Sequence, residues 1–356
     1  MSGALRVLVV DDSAFNRRTI TRIIEDIPGV RVADYATDGE EALRKVFDLK
    51  PDLITLDLEM PRMDGFTFLR IVMQNRPTPI IVVSARSEDE NVFKALEFGA
   101  VDFVAKPAGR ISPELSNIKD DLVRKIEAIA GADLTKIVQR KSSATGTATA
   151  DAAKPAIEED AKKLPLTGPR LVVIGASTGG PPALQEVLSS IDKRVPAAFA
   201  VAQHMPPGFT KAFADRLNRY CDLEIVEAQT GDLVTPGKVL IAPGGRNLTL
   251  RWHGTQVVAH VIEPEPNQRY IPSVDILFLS ACKVYGGDIL GVVLTGMGND
   301  GARGARAIQQ AGGHVMAESQ DTSVVFGMPK ETIAAVPECE VFPLDEVGSQ
   351  VMRRFN

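Results

Sequence analysis

The sequence predicts an α/β protein made of two doubly wound parallel-sheet domains joined by a flexible linker. Three observations predict it. Apolar runs alternate with helical patterns from Leu5 to about Ala130, the same rhythm resumes at Arg170, and the text between them is too poor in large apolar residues to bury a core. At 356 residues the chain is long enough for two domains of ordinary size. We place the first over 4–125, the linker over 126–168 and the second over 169–356.

In the first domain LRVLVV reads as a strand, followed by a helix with Ile20, Ile23, Ile24 and Ile27 on one face. LITL, PIIVV and VDFV supply later strands. From about Asp133 to Pro169 the chain is dominated by Ala, Thr, Ser, Lys and Glu, the composition of a linker. In the second domain RLVVIG, AAFAVA and DILGVVL read as strands, with helices after Pro181, Phe209 and Gly301. The segment WHGTQVVAH reads as one alternating strand with His253 and His260 on opposite faces.

The bulk numbers exclude several classes. With 46 acidic and 40 basic side chains the net charge is −6, which disfavours a polyanionic partner such as nucleic acid. Cys221, Cys282 and Cys339 are far apart and form no Cys-x-x-Cys pair, which fits neither a disulfide framework nor a thiolate zinc site and suits a reducing cytoplasm. The N-terminal residues lack the layout of a signal peptide, and no apolar run reaches the roughly 18 residues of a membrane span.

Asp11 and Asp12 follow the first strand, Asp57 the LITL strand, Ser84 ends PIIVV, and Lys106 follows VDFV. A parallel sheet brings its carboxyl ends to one edge, so these side chains converge in the crevice where such folds bind ligands. Clustered carboxylates repel unless a cation neutralises them, and hard oxygen donors suit Mg²⁺. Asp57 would take a phosphoryl group, with Lys106 pairing to it and the Ser84 hydroxyl donating to it. The plain alternative is acidic turn residues and a solvated lysine. The first 125 or so residues also resemble the response-regulator receiver family, through VVDDS, LDLEMPRMDG, VSA and AKP. The resemblance implies a flavodoxin-like fold, phosphorylation of Asp57 by a histidine kinase, and Mg²⁺ held by Asp12 and the Glu59 carbonyl with Asp11 acting through water. It also implies Phe103 as an aromatic switch.

In the second domain Gly175-Ala176-Ser177-Thr178-Gly179 matches the G-x-S-x-G elbow, in which small neighbours let a strand turn sharply into a helix and expose a hydroxyl. A serine needs a base. Of four histidines, His204 ends the AAFAVAQ strand and so shares a sheet edge with Ser177, whereas His314 starts a strand. Asp300 lies in TGMGNDG at the start of a helix, where it would serve either as an N-cap or as the acceptor that orients the imidazole. The chain order Ser, His, Asp departs from the Ser, Asp, His order of ordinary α/β-hydrolases. A dinucleotide-binding reading of IGASTGG fails because the G-x-G-x-x-G spacing is incomplete and the next strand ends in Gln203-His204 without an acidic residue.

This half resembles the chemotaxis protein-glutamate methylesterase/protein-glutamine glutaminase family (CheB), through GASTGGP, QHMPPGFTKAFADRLN, IAPGG, PSVDILF, LTGMGNDGARG and FGMP. The resemblance implies a Rossmann-like methylesterase domain in which Ser177 is nucleophile, His204 general base and acid, and Asp300 the orienting carboxylate. Backbone amides of Thr178 and Met297 would bind the oxyanion, and the hydrolase chemistry would need no cofactor. It implies hydrolysis of glutamate γ-methyl esters on the cytoplasmic domains of chemoreceptors, releasing methanol, and deamidation of receptor glutamines, switched on by phosphorylation of the receiver in two-component signalling. Tyr270-Ile271 departs from the more polar pair that the family pattern has there.

Overall fold

In the computed structural model, which describes residues 4–84, 89–106, 114–131 and 170–355, the chain forms two compact units. The first holds β1 (Leu5–Val10), α1 (Ala14–Glu25), β2 (Val30–Ala36), α2 (Gly39–Leu49), β3 (Leu53–Leu56), α3 (Gly65–Asn75), β4 (Ile80–Ser84), α4 (Asp89–Glu97), β5 (Asp102–Ala105) and α5 (Glu114–Ala130). Its strands form one parallel sheet in the order β2-β1-β3-β4-β5. β3, β4 and β5 are buried at every position, as expected of strands covered on both faces. The helices start where the sequence supplies acceptors. Asp38 accepts from the Glu40 and Glu41 amides ahead of α2, and Asp64 from the Thr67 amide ahead of α3.

α5 runs to Ala130, through the first residues assigned to the linker. Ile126, Ala128 and Ile129 are buried, and that apolar face carries the helix past position 126. The rest of the expected linker, 132–168, lies outside the described residues.

The second unit holds β6 (Leu171–Ala176), α6 (Gly180–Ser189), β7 (Ala198–Gln203), α7 (Phe209–Tyr220), β8 (Glu224–Glu227), β9 (Lys238–Ile241), β10 (Asn247–His253), β11 (Gln256–Ile262), α8 (Val274–Tyr285), β12 (Ile289–Val293), α9 (Ala302–Gln310), β13 (His314–Glu318), α10 (Met328–Ala335), β14 (Glu340–Phe342) and α11 (Leu344–Arg353). Seven strands form a parallel sheet in the order β14-β13-β12-β6-β7-β9-β8. β10 and β11 form a separate antiparallel hairpin. Sequence reading ran one strand through this hairpin. His253 sits at its tip opposite Gln256, and His260 lies on the other strand opposite Thr249, because Gly254 turns the chain at φ 62°.

One face of the large sheet buries Leu171 and Val173 of β6 and the alanines 198, 200 and 202 of β7 against Leu277, Phe278 and Ala281 of α8 and Leu248 and Leu250 of the hairpin. The strand period of two sets which residues face this core. β6 is flanked by β7 and β12, so the sheet reverses its order between β6 and β12 and opens a crevice at their carboxyl ends.

α8 and α9 pack closely enough that a Cβ on Gly304 would lie 2.5 Å from Phe278 Cβ. Replacing glycine by alanine inside a helix ordinarily gains about 1 kcal/mol, but forcing this contact costs about 1–3 kcal/mol. Gly304→Ala is therefore expected to lower the unfolding temperature of the second unit in calorimetry, and a rise would show that the α8–α9 contact relaxes freely.

Candidate active site and acidic pocket

Ser177 leaves β6 at a tight turn whose φ at Gly179 is 77°. His204 follows β7 and Asp300 follows β12, the two strands that flank β6. The Oγ of Ser177 lies 3.0 Å from His204 Nδ1, and His204 Nε2 lies 2.9 Å from Asp300 Oδ2. With Asp300 ionised, Nε2 carries the proton and donates to the carboxylate, which leaves Nδ1 to accept from the serine. The ring thus faces serine and aspartate with its two nitrogens in the reverse of the serine-protease arrangement.

Asp300 does not cap its own helix, because Gly301 is the N-cap of α9. Its carboxylate instead sits at the N-terminus of α8. Oδ2 accepts from the Val274 amide at 2.7 Å, and Oδ1 accepts from the Asp275 amide at 2.9 Å and the Ser273 hydroxyl at 3.0 Å. Asp275, in the first turn of α8, reciprocates by accepting from the Gly301 and Gly304 amides at 3.1 and 2.7 Å. Burial alone would push the Asp300 carboxyl up, yet His204 and the Asp275 and Val274 amides hold it below the usual carboxylate range. Burial pushes the Asp275 carboxyl above that range, against the pull of the Gly304 amide and of Arg303, whose Nε lies 3.5 Å from Asp275 Oδ2.

The amides of Thr178 and Met297 belong to peptide planes with anchored carbonyls. The Ser177 carbonyl accepts from the Gly180 amide at 2.7 Å and Gln203 Nε2 at 3.0 Å. The Gly296 carbonyl accepts from the Gly327 and Met328 amides at 3.0 and 2.7 Å. In a trans peptide N–H and C=O point in opposite directions, so both N–H groups are aimed away from these anchors. The two loops also meet each other. The Ser177 amide donates to the Thr295 carbonyl, the Thr295 hydroxyl donates to the Thr178 carbonyl, and a Cβ at Gly296 would fall 2.7 Å from Ser177 Cβ. The buried Glu318 takes the Thr295 amide at 2.8 Å. Beside Asp300 lies a cleft of about 600 Å³ whose walls include Glu265, Arg269, Tyr270, Asn299 and Arg303.

Ser273, Asp275, Thr295 and Glu318 are contributors that sequence reading missed. Ser273 carries a local signal as the N-cap of α8, accepting from the Ile276 amide at 3.3 Å. The others act across the chain on partners 20 or more residues away, which no local pattern reveals.

In the first unit Asp11 and Asp57 follow the adjacent central strands β1 and β3, and Lys106 follows β5. Lys106 Nζ lies 2.6 Å from Asp57 Oδ2 and 3.9 Å from Asp11 Oδ2. One carboxylate oxygen each from Asp11, Asp12 and Asp57 falls within 4.8 Å of the others, a set of hard donors that fits a divalent cation. The Glu59 amide donates to Asp57 Oδ1 at 3.2 Å, which holds that backbone beside the cluster while the Glu59 side chain is exposed. Ser84 is buried at the end of β4, and the Lys106 amide donates to its carbonyl at 2.6 Å. Phe103 is buried edge-on to Phe93, with Lys125 Nζ 5.0 Å from its ring centre and paired to Asp102 at 3.1 Å. Burial, then the Asp57 charge, pushes the Asp11 carboxyl up to about 6. Burial also raises Asp57, against the pull of Lys106.

The family profile described as CheB methylesterase matches residues 172–351, and that of the response regulator receiver domain matches 7–112. Among similar proteins, the protein-glutamate methylesterase/protein-glutamine glutaminase 3 of Geobacter sulfurreducens is 52% identical over 98% of this chain and 97% of its own length. One from Myxococcus xanthus, numbered 1, is 48% identical over 97% and 96%. Among solved structures, the CheB methylesterase catalytic domain of Thermotoga maritima aligns with a TM-score of 0.50 at 39% identity, over 53% of this chain and 99% of that one.

Asp11 is a carboxyl whose folded pKa of about 6 lies above the ordinary 3.8, so its protonated form favours the fold. The stability it contributes is complete below 3.8 and is lost as pH rises through about 6. In the absence of divalent cations, Asp11→Asn is expected to stabilise the first unit by on the order of 3 kcal/mol at pH 7.5 and roughly half that at pH 5. Calorimetry of the full chain at both pH values measures this, and an equal gain at each would contradict it.

Proposed function

The chain belongs to the CheB methylesterase family and carries a receiver domain, and from that membership we propose a phosphorylation-activated hydrolase that removes methyl groups from glutamate γ-methyl esters of chemoreceptors and deamidates receptor glutamines. The observation that carries the chemistry is the unbroken chain from Ser177 Oγ through the His204 ring to Asp300, at 3.0 and 2.9 Å. In this reading His204 Nδ1 takes the Ser177 proton as the hydroxyl attacks the γ-acyl carbon. The oxyanion is held by the Thr178 and Met297 amides, a role that their anchored peptide planes support. Methanol leaves from an ester, or ammonia from an amide, with the proton returned by His204. Water then repeats the sequence and frees the glutamate and Ser177. Asp300 orients the ring and stabilises the imidazolium. A cleft wall carrying both signs of charge, Glu265 and Arg269 among them, suits a polar protein surface as substrate.

Regulation in this reading begins at Asp57, which takes a phosphoryl group from a histidine kinase. Asp11, Asp12, Asp57 and the Glu59 carbonyl would hold Mg²⁺, which when bound supplies positive charge to the phosphoryl oxygens. Lys106 pairs with the phosphate, and Ser84 and Phe103 repack to pass the change on. Substrates on the cytoplasmic domains of receptors place the enzyme in the cytoplasm. Consistent with that site of action, no helix among the described residues is long and apolar enough to cross a membrane, and the three cysteines are unpaired.

Methanol release from a methylated receptor cytoplasmic fragment tests both halves. Wild type is expected to accelerate when acetyl phosphate and Mg²⁺ are added, Asp57→Asn to stay at its basal rate, and Ser177→Ala to lose at least about 10³-fold in either condition. Activation of Asp57→Asn by the phosphodonor would reject the regulatory scheme, and methanol release indifferent to Ser177→Ala would reject the triad.

A further inference from the structure

Two hydrogen bonds hold the His204 imidazole, one at each ring nitrogen. Both act near the ring plane and together define an axis through the ring. They constrain the ring within its plane more than they constrain displacement out of it, and an out-of-plane shift of the ring would carry Nδ1 off the line to Ser177.

A flat side chain lies against that motion. The phenol ring of Tyr270 is parallel to the imidazole, with ring centroids 5.1 Å apart and 9° between the planes. Tyr270 is itself anchored. Gln268 Nε2 donates to its carbonyl at 2.6 Å, and Gln268 is locked to the buried Asn247 by a reciprocal amide pair at 2.8 and 2.9 Å. Asn247 Oδ1 also accepts from the Ser273 amide at 2.9 Å, so one asparagine fixes both the tyrosine over the base and the serine that donates to Asp300. The hydroxyl end of Tyr270 abuts Gly298, where a Cβ would fall 2.2 Å from the phenol oxygen. Only a glycine admits that contact, and its φ of 93° favours glycine as well.

We propose that Tyr270 is a positioning residue for the hydrolysis, resting on the reading of Ser177 and His204 given above. Its ring opposes displacement of the imidazole out of its plane on the stacked side and keeps water off that face. Its electron-rich face also attracts the imidazolium that forms as Ser177 gives up its proton, an interaction absent from the neutral ground state. The effect belongs to the chemical step and not to receptor recognition.

The experiment compares the full-length wild type with Tyr270→Ala, Tyr270→Leu, Tyr270→Phe and Ser177→Ala. The readouts are the rate at which a small fluorophosphonate labels Ser177, and kcat and KM for methanol release. Leucine fills the space without a π face, which guards against a variant that fails merely by leaving a hole. Tyr270→Ala and Tyr270→Leu are expected to slow labelling and kcat about 10- to 100-fold. KM should move less than about 3-fold, and Tyr270→Phe should recover the rate to within about 3-fold of wild type. Labelling of the leucine variant at the wild-type rate, or a loss confined to KM, would overturn the proposal. Labelling that persists in Ser177→Ala would instead sink the assignment of the nucleophile on which it rests.

Discussion

The carboxylate of Asp300 is the constraint around which the second domain is organised. A buried anion is tolerated only when its oxygens are fully occupied. Here the Ser273 hydroxyl, two amides at the start of α8 and His204 occupy them. The N-terminal end of a helix carries partial positive charge, so α8 is both a wall of the core and the electrostatic support of the acid. The strand order puts β6 between β12 and β7, which brings acid, nucleophile and base to one edge without any of them being close in sequence.

The two domains use acidic residues in opposite ways. Asp300 has donors enough to remain ionised. Asp11 and Asp57 crowd together with one nearby lysine, and their carboxyl groups are pushed up. The first arrangement is complete as a protein, whereas the second has unspent affinity for positive charge. That difference fits the proposed reading of one unit as a hydrolase and the other as a switch that takes a metal ion and a phosphoryl group.

Much of this was legible in the sequence because parallel strands end at one edge. LRVLVV, LITL, RLVVIG and AAFAVA each lead to a polar residue at that edge, so the placement of Asp11, Asp57, Ser177 and His204 was legible from strand ends, while their roles rested on the motifs and the family resemblance. What escaped was nonlocal. The turn at Gly254 was read through because the residues on both sides alternate in phase, which hid a hairpin. The helix through Ala130 was cut short because its buried face continues into linker-like composition. Asp300 invited reading as a cap on its own helix, and nothing in TGMGNDG announces that it caps α8 instead. Asn247 and Gln268 look like ordinary polar surface residues until the fold sets them face to face.

The reciprocal capping of α8 and α9 has a consequence for how the site moves. Asp300 precedes α9 and holds the start of α8, while Asp275 belongs to α8 and holds the start of α9. Neither helix can shift without stripping acceptors from the other, so the acid and the cleft wall beside it behave as one rigid piece. A displacement of either helix is therefore felt at once by the acid and by the cleft wall, so the two keep a common register.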